Sequence, residues 1–306
     1  MKNSRREKPH LVPLNKALVW ILFSVLLVFG SATLAVIYYQ HIKMLHSSDD
    51  AYRIAALIQT TPDQESLKTV YLAQLLDLSV DRPANLYRFS CKEARRKLLN
   101  SPLIKEAKVK KIKPGTIYVD YVLRKPVAFL ADYTNTAIDL DGVPFPFKPF
   151  FTPKRLPEVY LGLAQSEEGM PPGTMQWGDS LTGKKADLAR ELMEYFMHGN
   201  SDLTNIRRID VSRAYASSCG QCQIVIFLEE QIEKELDGRS LLLIYPRILR
   251  LNSKSYRQGL ANYKVLRQHL SKEKITLSQE DSQAVIKMSL MIIDLRLPHL
   301  AYMSKK

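Results

Sequence analysis

The sequence predicts an α+β chain with a single transmembrane helix, a small two-helix, three-strand domain and a larger mixed β domain with flanking helices. Three observations lead there. An uncharged apolar run lies near the start, two helix-start signatures precede an alternating strand–turn–strand, and the longer second half mixes strand-like and helix-like patterns. The expected organisation is a basic cytoplasmic tail at 1–16, a transmembrane helix at 17–39, a juxtamembrane segment with the small domain at 40–126, and the β domain at 127–306, ending in an edge strand.

Ala17 to Tyr39 contains no charged residue. At about 1.5 Å per residue it covers the roughly 30 Å hydrocarbon core with slack for tilt. Trp20 at one end and Tyr38 and Tyr39 at the other suit the two interfaces. Lys2, Arg5, Arg6, Lys8 and Lys16 precede the run, whereas Asp49 and Asp50 follow it. The positive-inside rule then puts the N-terminus in the cytoplasm and the bulk of the chain outside. The small residues Gly30 to Ala35 resemble a cleavage region, but apolar residues resume at Val36 to Tyr39, so an uncleaved anchor is expected.

In the small domain, Thr61-Pro62-Asp63-Gln64 reads as a capping box opening a helix with Leu67, Val70, Tyr71, Gln74, Leu75 and Leu78 on one face. Ser90-Cys91-Lys92-Glu93 opens a second helix, stopped by Asn100-Ser101-Pro102, and Cys91 falls on its inward face as a buried thiol. A hairpin follows, from Ile104 to Ile112 and from Thr116 to Arg124 around Lys113-Pro114-Gly115. Ile117, Val119, Tyr121 and Leu123 share one face of its second strand.

The larger half starts at Phe129 to Asp139, with an Asp141-Gly142 turn. Residues Pro144 to Pro157 read as a Pro-rich linker and Met170 to Gly183 as a loop. A helix then carries Leu188, Leu192, Tyr195 and Phe196. Strands are expected at about Ile206–Ser212, Gln223–Glu229 and Ser240–Tyr245. A long helix uses Tyr256, Leu260, Tyr263, Leu266 and Leu270, and the last strand runs from Ser289 to Leu295, extending toward Met303.

Catalytic signatures fail on inspection. Gly178 to Lys185 matches P-loop spacing until Lys185, where a hydroxyl is needed for magnesium. The six histidines are scattered without i, i+4 pairing. Cys219-Gly220-Gln221-Cys222 is either a plain turn with two thiols or a local disulfide; a redox site would need a helix start there. Pairs such as Glu229-Glu230 read as solvated charge. No enzyme activity, cofactor, metal or small-molecule substrate is expected. The net charge of +13, from 44 basic and 31 acidic residues, suits a solvated basic surface, and no nucleic-acid motif accompanies it.

Ala107 to Ala128, reading AKVKKIKPGTIYVDYVLRKPVA, resembles the end of the POTRA domain in the FtsQ/DivIB cell-division family. Ile138-Asp139-Leu140-Asp141-Gly142-Val143 is similar to the family's next hairpin, and Ile209-Asp210-Val211-Ser212 and Ile293-Asp294-Leu295-Arg296 to its two later signatures. Three departures stand out: Leu123 occupies a position where the family often has Glu, Tyr245-Pro246-Arg247 replaces its usual strand-Leu-Gly, and the loop at Met170 to Gly183 has no counterpart in the family pattern. The resemblance implies a non-catalytic bitopic scaffold at the division site of the inner membrane. Its POTRA-like and β domains would link other divisome proteins, with the last strand docking FtsB/FtsL-like bitopic partners. Arg296 and Leu297 match positions beside that contact, while Leu300, Ala301 and Tyr302 offer an extended segment with an aromatic anchor. The competing expectations are an extracytoplasmic POTRA-containing assembly or secretion protein and a cell-wall-acting enzyme.

Overall fold

The computed structural model describes residues 14–79, 81, 83–163, 177–198, 205–218, 220–236, 239–270 and 285–305. Helix α1 spans Leu14–Ser48. It is long and apolar enough to cross a membrane, and every large apolar side chain from Leu18 to Tyr39 is exposed. Its hydroxyls turn back on their own helix: Ser24 Oγ donates to the Trp20 carbonyl at 2.5 Å, Ser31 Oγ to Val28 at 3.0 Å and Thr33 Oγ1 to Gly30 at 2.9 Å. Polar side chains satisfied in this way are compatible with hydrocarbon.

After α1 come β1 (Ala56–Thr60), α2 (Thr69–Leu75), α3 (Cys91–Leu99), β2 (Ile104–Ile112) and β3 (Thr116–Leu123). The strands form a three-stranded sheet in the order β1-β3-β2. The Ser90 cap is made as expected, with Ser90 Oγ accepting from the Glu93 N–H at 3.3 Å. β3 buries Ile117, Val119, Tyr121 and Leu123, the face read from the alternation.

Two expectations fail in this region. Thr61 to Lys68 is not helical; the helix begins at Thr69. Leu67 is buried there, its N–H donating to the Tyr121 hydroxyl at 2.9 Å, a tertiary bond that holds the segment out of a helix. The buried face is therefore set by Leu72 and Leu76, whereas Val70 is exposed. Strand β1 is not among the expected strands: its residues alternate only between exposed and half-buried, and Ala-Leu-Ile-Gln-Thr carries no clear apolar–polar period.

By compactness the chain divides into two units. One comprises residues up to Thr60 with Thr69–Arg95 and Lys108–Asp120; the other comprises Thr61–Lys68, Arg96–Ala107 and Tyr121 onward. Within the first, β1 pairs parallel with β3 from Ala56↔Thr116 to Thr60↔Asp120. Gly115 is required at the start of this pairing, since a Cβ there would lie 2.1 Å from the Arg53 carbonyl oxygen.

The second unit contains β4 (Ala128–Leu130), β5 (Thr136–Ile138), β6 (Pro144–Pro146), β7 (Glu158–Tyr160), α4 (Lys184–His198), β8 (Ile206–Asp210), β9 (Ile224–Leu236), β10 (Arg239–Leu251), α5 (Tyr256–Leu270), β11 (Val285–Lys287), β12 (Met291–Asp294) and β13 (Tyr302–Lys305). Its ten-stranded sheet follows the order β13-β12-β10-β9-β8-β7-β4-β5-β6, with β11 also beside β10. Alternate residues Ile224, Ile226 and Leu228 of β9 and Leu249 and Leu251 of β10 join Leu188 and Leu192 of α4 and Leu260 and Tyr263 of α5 in one buried core. Helix α5 approaches β10 closely at Gly259, where a Cβ would stand 2.8 Å from Leu251 Cδ2.

Three further readings need correction. The supposed Pro-rich linker begins with a strand: Pro144-Phe145-Pro146 is fully buried as β6. Among the described residues it pairs with β5 alone, at the end of the sheet, where a residue lacking an N–H is tolerated. Strand β10 continues through Pro246, because its parallel neighbours leave a gap there: β11 ends opposite Ile244 and β12 begins opposite Arg247. Glu230 is not solvated. It is buried between Arg247 (3.0 Å), Arg267 (2.9 Å) and the Tyr263 hydroxyl (2.7 Å). Burial and the neighbouring carboxylate push the Tyr263 phenol well above its usual range, so it stays a donor. The cluster ties α5 to β9 and β10, and removing one partner of such a buried pair costs about 3–5 kcal/mol.

Candidate partner-docking edge

Strand β12 runs parallel to β10, and Leu295 is buried directly after it, its N–H bonded to the Arg250 carbonyl at 2.8 Å. The chain then leaves the core. The Leu300 N–H reaches back to the Leu297 carbonyl at 3.4 Å, and His299 adopts φ 62°. The expected continuation of one strand to Met303 therefore does not occur. Instead β13 folds back antiparallel on β12, from Asp294↔Tyr302 to Met291↔Lys305.

Arg296 locks this reversal. Its Nε and Nη2 donate to the Asp294 carboxylate at 3.0 and 2.7 Å, its backbone N–H to Asp294 Oδ1 at 3.1 Å, and its Nη1 to the Gly220 carbonyl at 2.7 Å. Burial alone would raise the Asp294 carboxyl. The bonds from Arg296 outweigh it and hold the carboxyl below its usual range. Asp294 was not singled out in the sequence, although a carboxylate two residues before an arginine lies on the same strand face.

The structure brings Arg296, Leu297, Leu300 and Tyr302 together with Asp294, Cys222, Asn252 and Gly220 around a cleft of about 450 Å³. Leu297, Leu300 and Tyr302 are 66%, 62% and 69% exposed, so large apolar groups stand in solvent on its rim. Ala301 is exposed between them. Arg296 differs: half-buried and fully engaged within the fold, it shapes the rim rather than presenting a free charge. Among the described residues β13 is flanked by a strand on one side only, which leaves backbone donors and acceptors on its outer side for an incoming strand.

The Cys222 thiol donates to the Ala214 carbonyl at 2.9 Å. Its pairing with Cys219 lies outside the described residues. The first half of the loop expected at Met170 to Gly183, residues 170–176, also lies outside them. Its P-loop-like end is stitched to the β5–β6 turn, with Ser180 Oγ on the Asp141 carbonyl and the Leu181 N–H on the Gly142 carbonyl, both at 2.9 Å. No group of acids, histidines or cysteines suited to a metal ion occurs among the described residues.

Another cleft, of about 600 Å³, is lined by charged side chains that are already paired. Asp63 meets Lys125 at 3.0 Å and Glu65 meets Lys154 at 2.8 Å. Burial would raise the Glu65 carboxyl, but bonds from Lys154 and Thr152 hold it below its usual range. A general acid at neutral pH needs the opposite shift.

No protein-family model matches the chain. No curated protein matches it either.

Proposed function

We propose that the chain is a non-catalytic, single-pass scaffold of the bacterial division machinery, anchored in the inner membrane with its bulk outside. On this reading it docks FtsB/FtsL-like bitopic proteins by strand addition at β13. The observation that carries it is the C-terminal edge, a strand open on its outer side and bordered by exposed Leu297, Leu300 and Tyr302. Main-chain bonding would supply affinity and the apolar side chains selectivity. The motif order resembling the FtsQ/DivIB family supports the division role, and the lone apolar helix supports anchoring. The POTRA assignment of the small domain rests on that resemblance together with its three strands and two helices.

The test is a pull-down of the full-length chain with the outer segments of FtsB- and FtsL-like proteins, beside imaging of a fluorescent fusion. Tyr302→Ala should weaken capture by about 2 kcal/mol, roughly thirtyfold, without unfolding the protein. Undiminished capture by folded Tyr302→Ala removes the edge from the account, and an even envelope signal in dividing cells removes the division role.

A further inference from the structure

The turn end of the β2–β3 hairpin carries a concentration of lysines. Lys110, Lys111 and Lys113 are exposed, and no carboxylate lies within ion-pair reach of them among the described residues. Lysines on an edge strand can simply guard it against pairing. Their position at one end of the sheet requires more than that.

Parallel pairing sets the start of β3 beside the start of β1, and β1 is the first strand after the transmembrane helix. The hairpin turn therefore lies at the end of the sheet where the chain arrives from the membrane. Side-chain contacts place it closer still. Lys113 Nζ stands 5.8 Å from the Tyr87 ring centroid, and that ring packs on His46 of α1 at 4.9 Å. Tyr52 closes the cluster, 4.7 Å from His46 and 5.0 Å from Tyr87. Asn85 Nδ2 donates to the His46 and Asp49 carbonyls at 3.0 and 3.2 Å, fixing the helix end to the same segment.

The distances decide what the lysines meet. From Tyr39, the last apolar residue of the run, to His46 is about 10 Å at ~1.5 Å per residue. The headgroup layer occupies roughly 5–8 Å of this on each side of the hydrocarbon. The remaining gap is shorter than a lysine side chain and within the Debye length of about 8 Å at physiological salt. Of the acids that follow the anchor, Asp50 is paired with Arg53 at 2.7 Å and Asp49 keeps its charge while accepting from the Ala51 N–H at 2.9 Å, so the three lysines still outnumber the carboxylates there.

We infer that this hairpin is a second membrane contact, with Lys110, Lys111 and Lys113 docking on anionic phospholipid headgroups beside the anchor. The inference rests on the reading of α1 as a membrane anchor. Its consequence is positional: one helix leaves a domain free to rock, whereas a helix plus a basic hairpin fixes its tilt on an acidic bilayer.

The experiment uses the full-length chain in lipid nanodiscs with or without phosphatidylglycerol. A donor dye sits at Ile112→Cys, 45% exposed in the native chain, with Cys91, Cys219 and Cys222 changed to Ser, and an acceptor sits on a headgroup. Energy transfer should rise when the anionic lipid is present. The docked-to-undocked ratio should change by about tenfold or more for three lysines and should collapse near 1 M salt, where the Debye length is about 3 Å. The Lys110→Gln, Lys111→Gln, Lys113→Gln variant should lose the response while still inserting. Insertion with transfer that ignores lipid charge and salt overturns the proposal alone and leaves the lysines as an edge guard or a site for a polyanion outside the membrane. Failure to insert into either disc overturns the anchor reading and the proposal with it.

Discussion

At the scale of single residues, the C-terminal edge depends on the Asp294–Arg296 pair, and its pH response follows from the direction of the carboxyl shift. A carboxyl held below its usual range stabilises the folded state while it is ionised. That stabilisation is present above the unfolded pKa of about 4 and is lost as pH falls through the lower folded value. Asp294→Asn should therefore melt below the native protein at neutral pH, and the gap should close in acid. A gap unchanged down to about pH 2 would mean that the carboxylate charge does not hold the turn. Residues of this kind are poorly legible in sequence. Leu297, Leu300 and Tyr302 are apolar residues near a terminus, visible as an anomaly. Glu230 reads as a solvated charge, and Asp294 only as part of the Ile293-Asp294-Leu295-Arg296 signature, until the fold supplies Arg247, Arg267 and Arg296 as partners.

At the scale of elements, what was legible is what local chemistry decides. The Ser90 cap, the alternation of β3 and the apolar face of α5 need no distant partner, and each forms where expected. Elements fixed by tertiary contact were misread. The segment from Thr61 to Lys68 has a helix-start signature, overridden by the Leu67–Tyr121 bond. Strand β6 was hidden by its prolines, and β1 by having no fully buried residue. The β1–β3 pairing also makes a sharp prediction. A Cβ at Gly115 would meet backbone at Arg53, not a yielding side chain. Gly115→Ala should weaken this pairing by about 2–3 kcal/mol. Hydrogen exchange on the full-length chain should then show faster exchange at Ala56 to Thr60, with β9 amides unchanged. Equal protection in the variant would show that the turn relaxes without cost.

At the scale of the whole molecule, both proposed external roles require the C-terminal edge and the β2–β3 hairpin to lie on the same side of the membrane, opposite the basic tail. Charge predicts that orientation: five basic residues from Lys2 to Lys16 face Glu7 alone before the apolar run, and Asp49 and Asp50 follow it. The orientation can be read with cysteines introduced one at a time into a chain whose own three are serine. Lys305→Cys, at the exposed end of β13, should react with a membrane-impermeant maleimide in intact spheroplasts. Ser4→Cys should react only after lysis. The reverse pattern would place the docking edge in the cytoplasm, beyond reach of any extracytoplasmic partner segment, and would overturn the scaffold reading. Labelling of both positions before lysis would mean that α1 does not span the bilayer. The lysine hairpin would then have no fixed membrane face, so this measurement comes before either binding experiment.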